Sequence, residues 1–144
     1  MRCRRHPARA RGTTRRFGVA ARQGPVCPHQ GSDGLCLSDR RFLVEAFWRT
    51  GDGQTGHGRG VEVTADTGYF WFFGPENVEA VVKVLDVCEL EPFHNFWLFA
   101  AGLTAVEVTL RVTDTASGTV KEYVNGLGSS FHPVLDTAAF STCP

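Results

Sequence analysis

The stretch "TAVEVTLRVTD", residues 104–114, alternates without a break. Val106, Val108, Leu110 and Val112 fall on one side, and Glu107, Thr109, Arg111 and Thr113 on the other. Successive side chains of a strand point to opposite faces, so this pattern dictates a strand with one dry and one wet face. A helix cannot hold it, because helical neighbours recur at three and four residues. The pattern returns in "RFLVEAFWR" (41–49), with Phe42, Val44, Ala46 and Trp48 opposed to Leu43, Glu45 and Phe47. In "NVEAVVKVLDVC" (77–88), Val78, Ala80, Val82 and Val84 share one face. Glu79, Val81, Lys83 and Leu85 share the other, which is partly apolar. Its valines favour strand over helix. "GVEVTA" (60–65), "GYFWFF" (68–73), "NFWLFAAG" (95–102) and "TVKEYVN" (119–125) complete a set of about seven strands. Glycine-rich and polar breaks separate them, and "TGDGQTGHGRG" (50–60) reads as a long mobile loop. Many short strands with turn signals between them predict an all-β fold, an antiparallel β-sandwich.

Within "GYFWFF", Tyr69, Trp71 and Phe73 share one face of a strand and Phe70 and Phe72 the other. Three rings against two predicts that Tyr69, Trp71 and Phe73 point into the core, with the Tyr69 hydroxyl kept near water. The second apolar face then needs cover, or it is a contact patch. Trp and Tyr also stack sugar rings when exposed. Trp48, Tyr69, Trp71, Trp97 and Tyr123 are therefore the candidate ligand-contact aromatics.

The zero net charge hides a split. Residues 1–32 carry eight Arg and no acid, while residues 33–144 carry seven Lys or Arg and all fifteen Asp and Glu. Residues 1–26 form an Arg-rich head without apolar periodicity, expected to be disordered in isolation, and residues 27–143 form the sandwich domain. A basic nucleic-acid arm, a transit peptide, a segment docking on its own acidic body and a mis-assigned start are all consistent with such a head. A nucleic-acid role would rest on the head alone. Its best apolar run, "FGVAA", is shorter than the about 7–15 residues a secretory signal needs. No apolar stretch approaches the roughly 20 residues that span a bilayer.

Of the five cysteines, Cys3 lies in the head; Cys27, Cys36, Cys88 and Cys143 frame the body. None forms a C-x-x-C pair, so zinc ribbons and thioredoxin-like redox motifs are unsupported. An even number framing an all-β body predicts two disulfides and an oxidising, extracellular or cell-surface compartment. Three pairings are available. Cys36–Cys88 and Cys27–Cys143 are favoured here, because they would close the termini and pin an early strand to the middle.

The words "LCLSDRRFLVEAFWR", "TGYFWFFGPENVEAVVKVLDVC", "FWLFAAGLTAVEVTLRVTDTASG" and "VLDTAAF" resemble a β-rich domain of secreted bacterial proteins, over roughly residues 27–143. The resemblance implies an extracellular module without catalysis. It leads to an acidic residue before Pro75, where this chain has Gly74.

Catalytic motifs are missing from the text of the chain. There is no G-x-S-x-G, no H-E-x-x-H and no P-loop. "SSFHP" sets Ser130 near His132 only within a loop. No D-x-D-x-D-G calcium loop occurs, although "DVCELE" and "GPENVE" carry oxygen ligands. The expectation is a module without catalytic residue, metal or cofactor, serving adhesion, scaffolding or ligand contact. Its partner would be a glycan or a cell-surface protein. The alternatives are a carbohydrate-binding module that uses the exposed aromatics and a small glycan-active enzyme with two carboxylates across a cleft.

Overall fold

The computed structural model describes Cys27 and residues 33–144. The Arg-rich head assigned to residues 1–26 lies outside the described residues. Within them the chain forms ten strands and no helix. They are β1 (Leu35–Leu37), β2 (Phe42–Arg49), β3 (Thr55–His57), β4 (Arg59–Glu62), β5 (Thr67–Trp71), β6 (Ala80–Asp86), β7 (Phe96–Gly102), β8 (Glu107–Asp114), β9 (Val120–Asn125) and β10 (Val134–Phe140).

Two five-stranded antiparallel sheets result. The first has the order β1-β2-β8-β9. β3 also pairs with β2, along the part of its edge that β1 leaves free. The second sheet runs β10-β7-β6-β5-β4. β2 pairs with β8 over its whole length, from Phe42 opposite Asp114 to Arg49 opposite Glu107. The alternation read in 41–49 and 104–114 is thus that of two paired strands. Phe42, Val44 and Ala46 of β2 and Val108, Leu110 and Val112 of β8 are buried. Phe70, Val82, Val84, Phe96, Leu98 and Phe140 of the second sheet are buried in the same cluster. Phe42 links the two layers, with its ring 4.8 Å from Phe96 and 5.0 Å from Phe140. Each such side chain contributes about 1.5–3 kcal/mol by leaving water.

The all-β sandwich expectation agrees with this architecture, and the strands beyond the expected seven are β1, β3 and β10. β1 and β3 are only three residues long, and β10 changes register between Asp136 and Phe140, so none carries a long alternation. The expected mobile loop 50–60 instead contains β3 and the start of β4. Between them Gly58 carries the chain from the first sheet to the second. A Cβ there would sit 2.9 Å from the Phe72 ring and 3.0 Å from Ala46 Cβ.

The phase expected for the aromatic run is reversed. Phe70 and Phe72 are buried, Tyr69 and Trp71 face outward half-buried, and Phe73 is exposed. Counting rings failed because the inward positions beside Phe70 had to be empty. Gly60 pairs with Phe70, and Gly68 lies two residues before it on the same face. A Cβ on Gly68 would come 2.5 Å from Leu35 Cδ2, and one on Gly60 would come 2.9 Å from Leu35 Cβ. The glycines let β1 close onto this edge, and that fixes which way Phe70 points.

The cysteine pairing also differs from the one favoured. The bonds are Cys27–Cys36 and Cys88–Cys143, with Cα separations of 5.7 and 5.6 Å. Cys36 lies on an edge strand of the first sheet, whereas Cys88 follows β6 in the middle of the second. The segment after β10 returns to that end of the sandwich, where Thr142 O accepts a hydrogen bond from Arg41 Nη2. That return brings Cys143 to Cys88. Cys27 is held at β1, its carbonyl accepting from Arg40 Nη2 at 3.1 Å.

Candidate functional site

The register of the second sheet places one set of side chains on its outer surface. Val61, Tyr69, Val81 and Ala101 form one row across β4, β5, β6 and β7. Thr67, Lys83, Phe99 and Leu135 form the next, from β5 to β10. Leu85 and Trp97 follow, and Arg59 and Trp71 lie at the opposite end. Three neighbouring strands, β5, β6 and β7, are therefore apolar on both faces. One face fills the core; on the other, Phe93 of the loop between β6 and β7 packs against Trp97, while Val81 and Leu135 stand exposed. Val81 is 39% exposed, Leu135 74% and Phe93, beside Trp97, 47%.

Five strands spaced about 4.8 Å apart make this surface roughly 20 Å wide. Its aromatics lock edge to face. Phe93 meets Trp97 at 5.0 Å and 81°, and Trp97 meets Phe99 at 6.1 Å and 88°. No carboxylate occupies an outward ladder position on any of the five strands. Arg59 pairs with Asp33 at 3.2 Å at the margin. Lys83 sits half-buried in the middle, with no ion pair among the described residues.

Of the five candidate aromatics, Tyr69, Trp71 and Trp97 share this face, and two lie elsewhere. Trp48 points inward at one end of the sandwich, stacked on Phe72 at 6.2 Å and meeting Phe73 at 4.9 Å. Gly56 lies across from it and makes room for the indole, since a Cβ would come within 2.4 Å of Cζ2. Tyr123 points inward from β9, and its hydroxyl donates to Asp136 Oδ2 at 2.8 Å. Phe99, Leu85, Leu135 and Lys83 were not among the candidates. The signal for them was in the sequence: "NFWLFAAG" is apolar at both parities, and Val81, Lys83 and Leu85 share a parity in "NVEAVVKVLDVC".

Clefts lined by described residues flank the sheets, two of them beside carboxylates. The larger, about 510 Å³, runs between β9 and the 126–134 segment and is lined by Tyr123, Asn125, Phe131, His132 and Glu122 among others. Beside it, Asp136 is fully engaged by Lys121 Nζ at 2.8 Å, the Tyr123 hydroxyl and Ala138 N. Burial pushes the Asp136 carboxyl up, but the Lys121 and Tyr123 hydrogen bonds outweigh it and hold the group below its ordinary value. Burial, and then the Asp136 carboxylate, push the Tyr123 phenol well above its usual range. The smaller cleft, about 370 Å³, lies by β3 and contains Trp48, His57 and Glu107. Glu107 is tied to Arg49, with one oxygen 2.7 Å from Nη2. Each cleft has a single carboxylate in its lining. Among the described residues no three His, Cys, Asp or Glu side chains gather as metal ligands.

No family model, no curated protein and no solved structure matches the chain. Its function has to be read from its own geometry.

Proposed function

We propose that this protein is a non-catalytic contact module of an extracellular or cell-surface setting, and that it works through the outer face of its second sheet. The observation that carries this reading is the uncovered apolar surface around Val81, Phe99 and Leu135. Exposing it to water is unfavourable by about 25 cal/mol for each Å², so a partner that covers it gains what the folded chain leaves unused. The two disulfides support an oxidising compartment. The glycan-active enzyme has less support, because each of the two clefts described brings one carboxylate where the chemistry uses two. A carbohydrate-binding module is also less favoured. Sugar stacking uses flat exposed rings, whereas Trp97 is wedged edge-to-face between Phe93 and Phe99.

The reading is tested with bis-ANS, a dye that fluoresces on apolar surfaces, and the Phe99→Ser/Leu135→Ser variant. The native protein should bind the dye, and the variant should lose most of that signal at unchanged thermal stability. A native protein that binds no dye, or a variant that unfolds, would show that the face is already covered.

A further inference from the structure

We infer that the partner of this face is a protein surface or segment presenting apolar side chains around a carboxylate, which pairs with Lys83. The inference rests on the contact reading above and adds the chemistry of the occupant. Lys83 stands in the middle strand of the sheet, between Thr67 of β5 and Phe99 of β7. An ammonium set among apolar side chains becomes expensive once a partner excludes water, unless an anion arrives with that partner. The face cannot supply the anion itself, since none of its outward ladder positions holds Asp or Glu.

That same fact argues against a second copy of this chain. Stacking two such faces would set Lys83 against cations of the other copy with no carboxylate on any outward ladder position to separate them, since Asp33 at the margin is already taken by Arg59. Like charges brought together without counter-charges oppose association. An anionic membrane would meet a body whose residues 33–144 carry fifteen acids against seven bases, the eight Arg of residues 1–32 lying apart from it in sequence. A neutral glycan would leave Lys83 with hydroxyl partners only, on a face with few other polar groups. A partner segment with one acid inside an apolar stretch satisfies both the surface and its charge. One buried, hydrogen-bonded charge pair would also fix how the partner lies, since apolar contact alone has no direction.

The test uses the full chain and a displayed library of random peptides. Peptides selected on the wild-type protein should carry Asp or Glu within an apolar run. Their binding should fall at least tenfold on Lys83→Glu and on Phe99→Ser, and should not change on Arg111→Glu in the other sheet. Selection on Lys83→Glu should return Lys or Arg in place of the acid. Should Lys83→Glu fail to fold, Lys83→Gln carries the same comparison. Peptides that need Phe99 but ignore Lys83 would overturn the charge assignment and leave the contact face standing. Obtaining no Phe99-dependent peptide would overturn both. Two further results would replace the proposed occupant. One is a dimer in sedimentation equilibrium that Phe99→Ser dissolves. The other is saturable quenching of tryptophan fluorescence by cello- or chito-oligosaccharides that Trp71→Ala removes.

Discussion

The two sheets share one core and present opposite outer surfaces. On the first sheet, outward charges meet across strands: Arg49 with Glu107 at 2.7 Å, and Arg111 with Glu122 at 2.8 Å. The one large ring among them, Phe47, lies 5.0 Å beneath the Arg111 guanidinium and 4.8 Å from the His57 ring. On the second sheet the outward residues are aromatic and aliphatic around a single unpaired ammonium. Folding requires only that each sheet have one dry face. The first sheet's outer face adds Val120 and Val124 at its edge strand to a field of paired charges, whereas the second sheet's outer face is aromatic and aliphatic through its central strands.

The comparison breaks most sharply within β5, where the two faces meet on adjacent residues. Phe70→Ala should cost about 3–5 kcal/mol, as the loss of a buried ring does. Trp71→Ala, one residue on and facing out, should cost less than about 1 kcal/mol. Urea unfolding of both variants measures the difference; a Trp71 variant as unstable as the Phe70 variant would move the core to the other face.

A second test separates the first sheet's surface charges from its buried one. Asp114 is fully buried and bonded to Arg41 Nε and Nη2 at 3.0 and 2.9 Å, to Ser117 Oγ and to Ala116 N. Burial pushes its carboxyl up, but these donors outweigh burial and hold it well below the ordinary carboxylate range. Asp114→Asn leaves Arg41 without its counter-charge and should cost about 3 kcal/mol or more. The sign follows from linkage. A depressed folded pKa stabilises fully above the unfolded value of about 3.9, and that stability is lost as pH falls through and below it. Wild-type stability should therefore drop below about pH 4, more steeply than that of the Asn variant.

At the open side, Tyr123→Phe should cost about 1 kcal/mol, as one hydrogen bond does. The raised phenol pKa stabilises below the unfolded value of about 10 and is lost as pH rises beyond it. The variant should therefore lose less stability in alkali than the wild type, which pH-dependent melting would show. The smallest effect belongs to the wet face. Arg49→Gln should leave the urea midpoint unmoved, because exposed pairs of this kind rarely contribute measurably. A clear shift there would mean that the first sheet's surface is as structural as its core.

The fold class was legible because β2 and β8 state their period without interruption. β1 and β3 were not, because three residues are too few to show a period. The direction of "GYFWFF" was hidden for another reason: it depends on Leu35, which lies more than thirty positions earlier and closes over Gly60 and Gly68. The disulfides depend in the same way on where the segment after β10 returns. As for the candidate face, the apolar residues of β5, β6 and β7 were visible strand by strand. That they form one surface depends on the pairing order β7-β6-β5, which no single stretch encodes. Trp48 and Tyr123 belong to the same candidate set by residue type and are separated from it by topology.

β2 also has a history that the folded state conceals. Its long partner β8 is made only after β4, β5, β6 and β7, and Arg41 finds its acceptor at Thr142 O 101 residues downstream. A chain emerging from its N-terminus therefore holds Phe42, Val44 and Ala46 on a strand with an open edge until most of the domain exists. Pairing at such range makes folding slow, and an unpaired apolar edge recruits other chains while it waits. Recovery of this domain is thus a race between β8 and the neighbouring molecules. Refolding yield should fall as protein concentration rises, under conditions where the finished domain is fully stable.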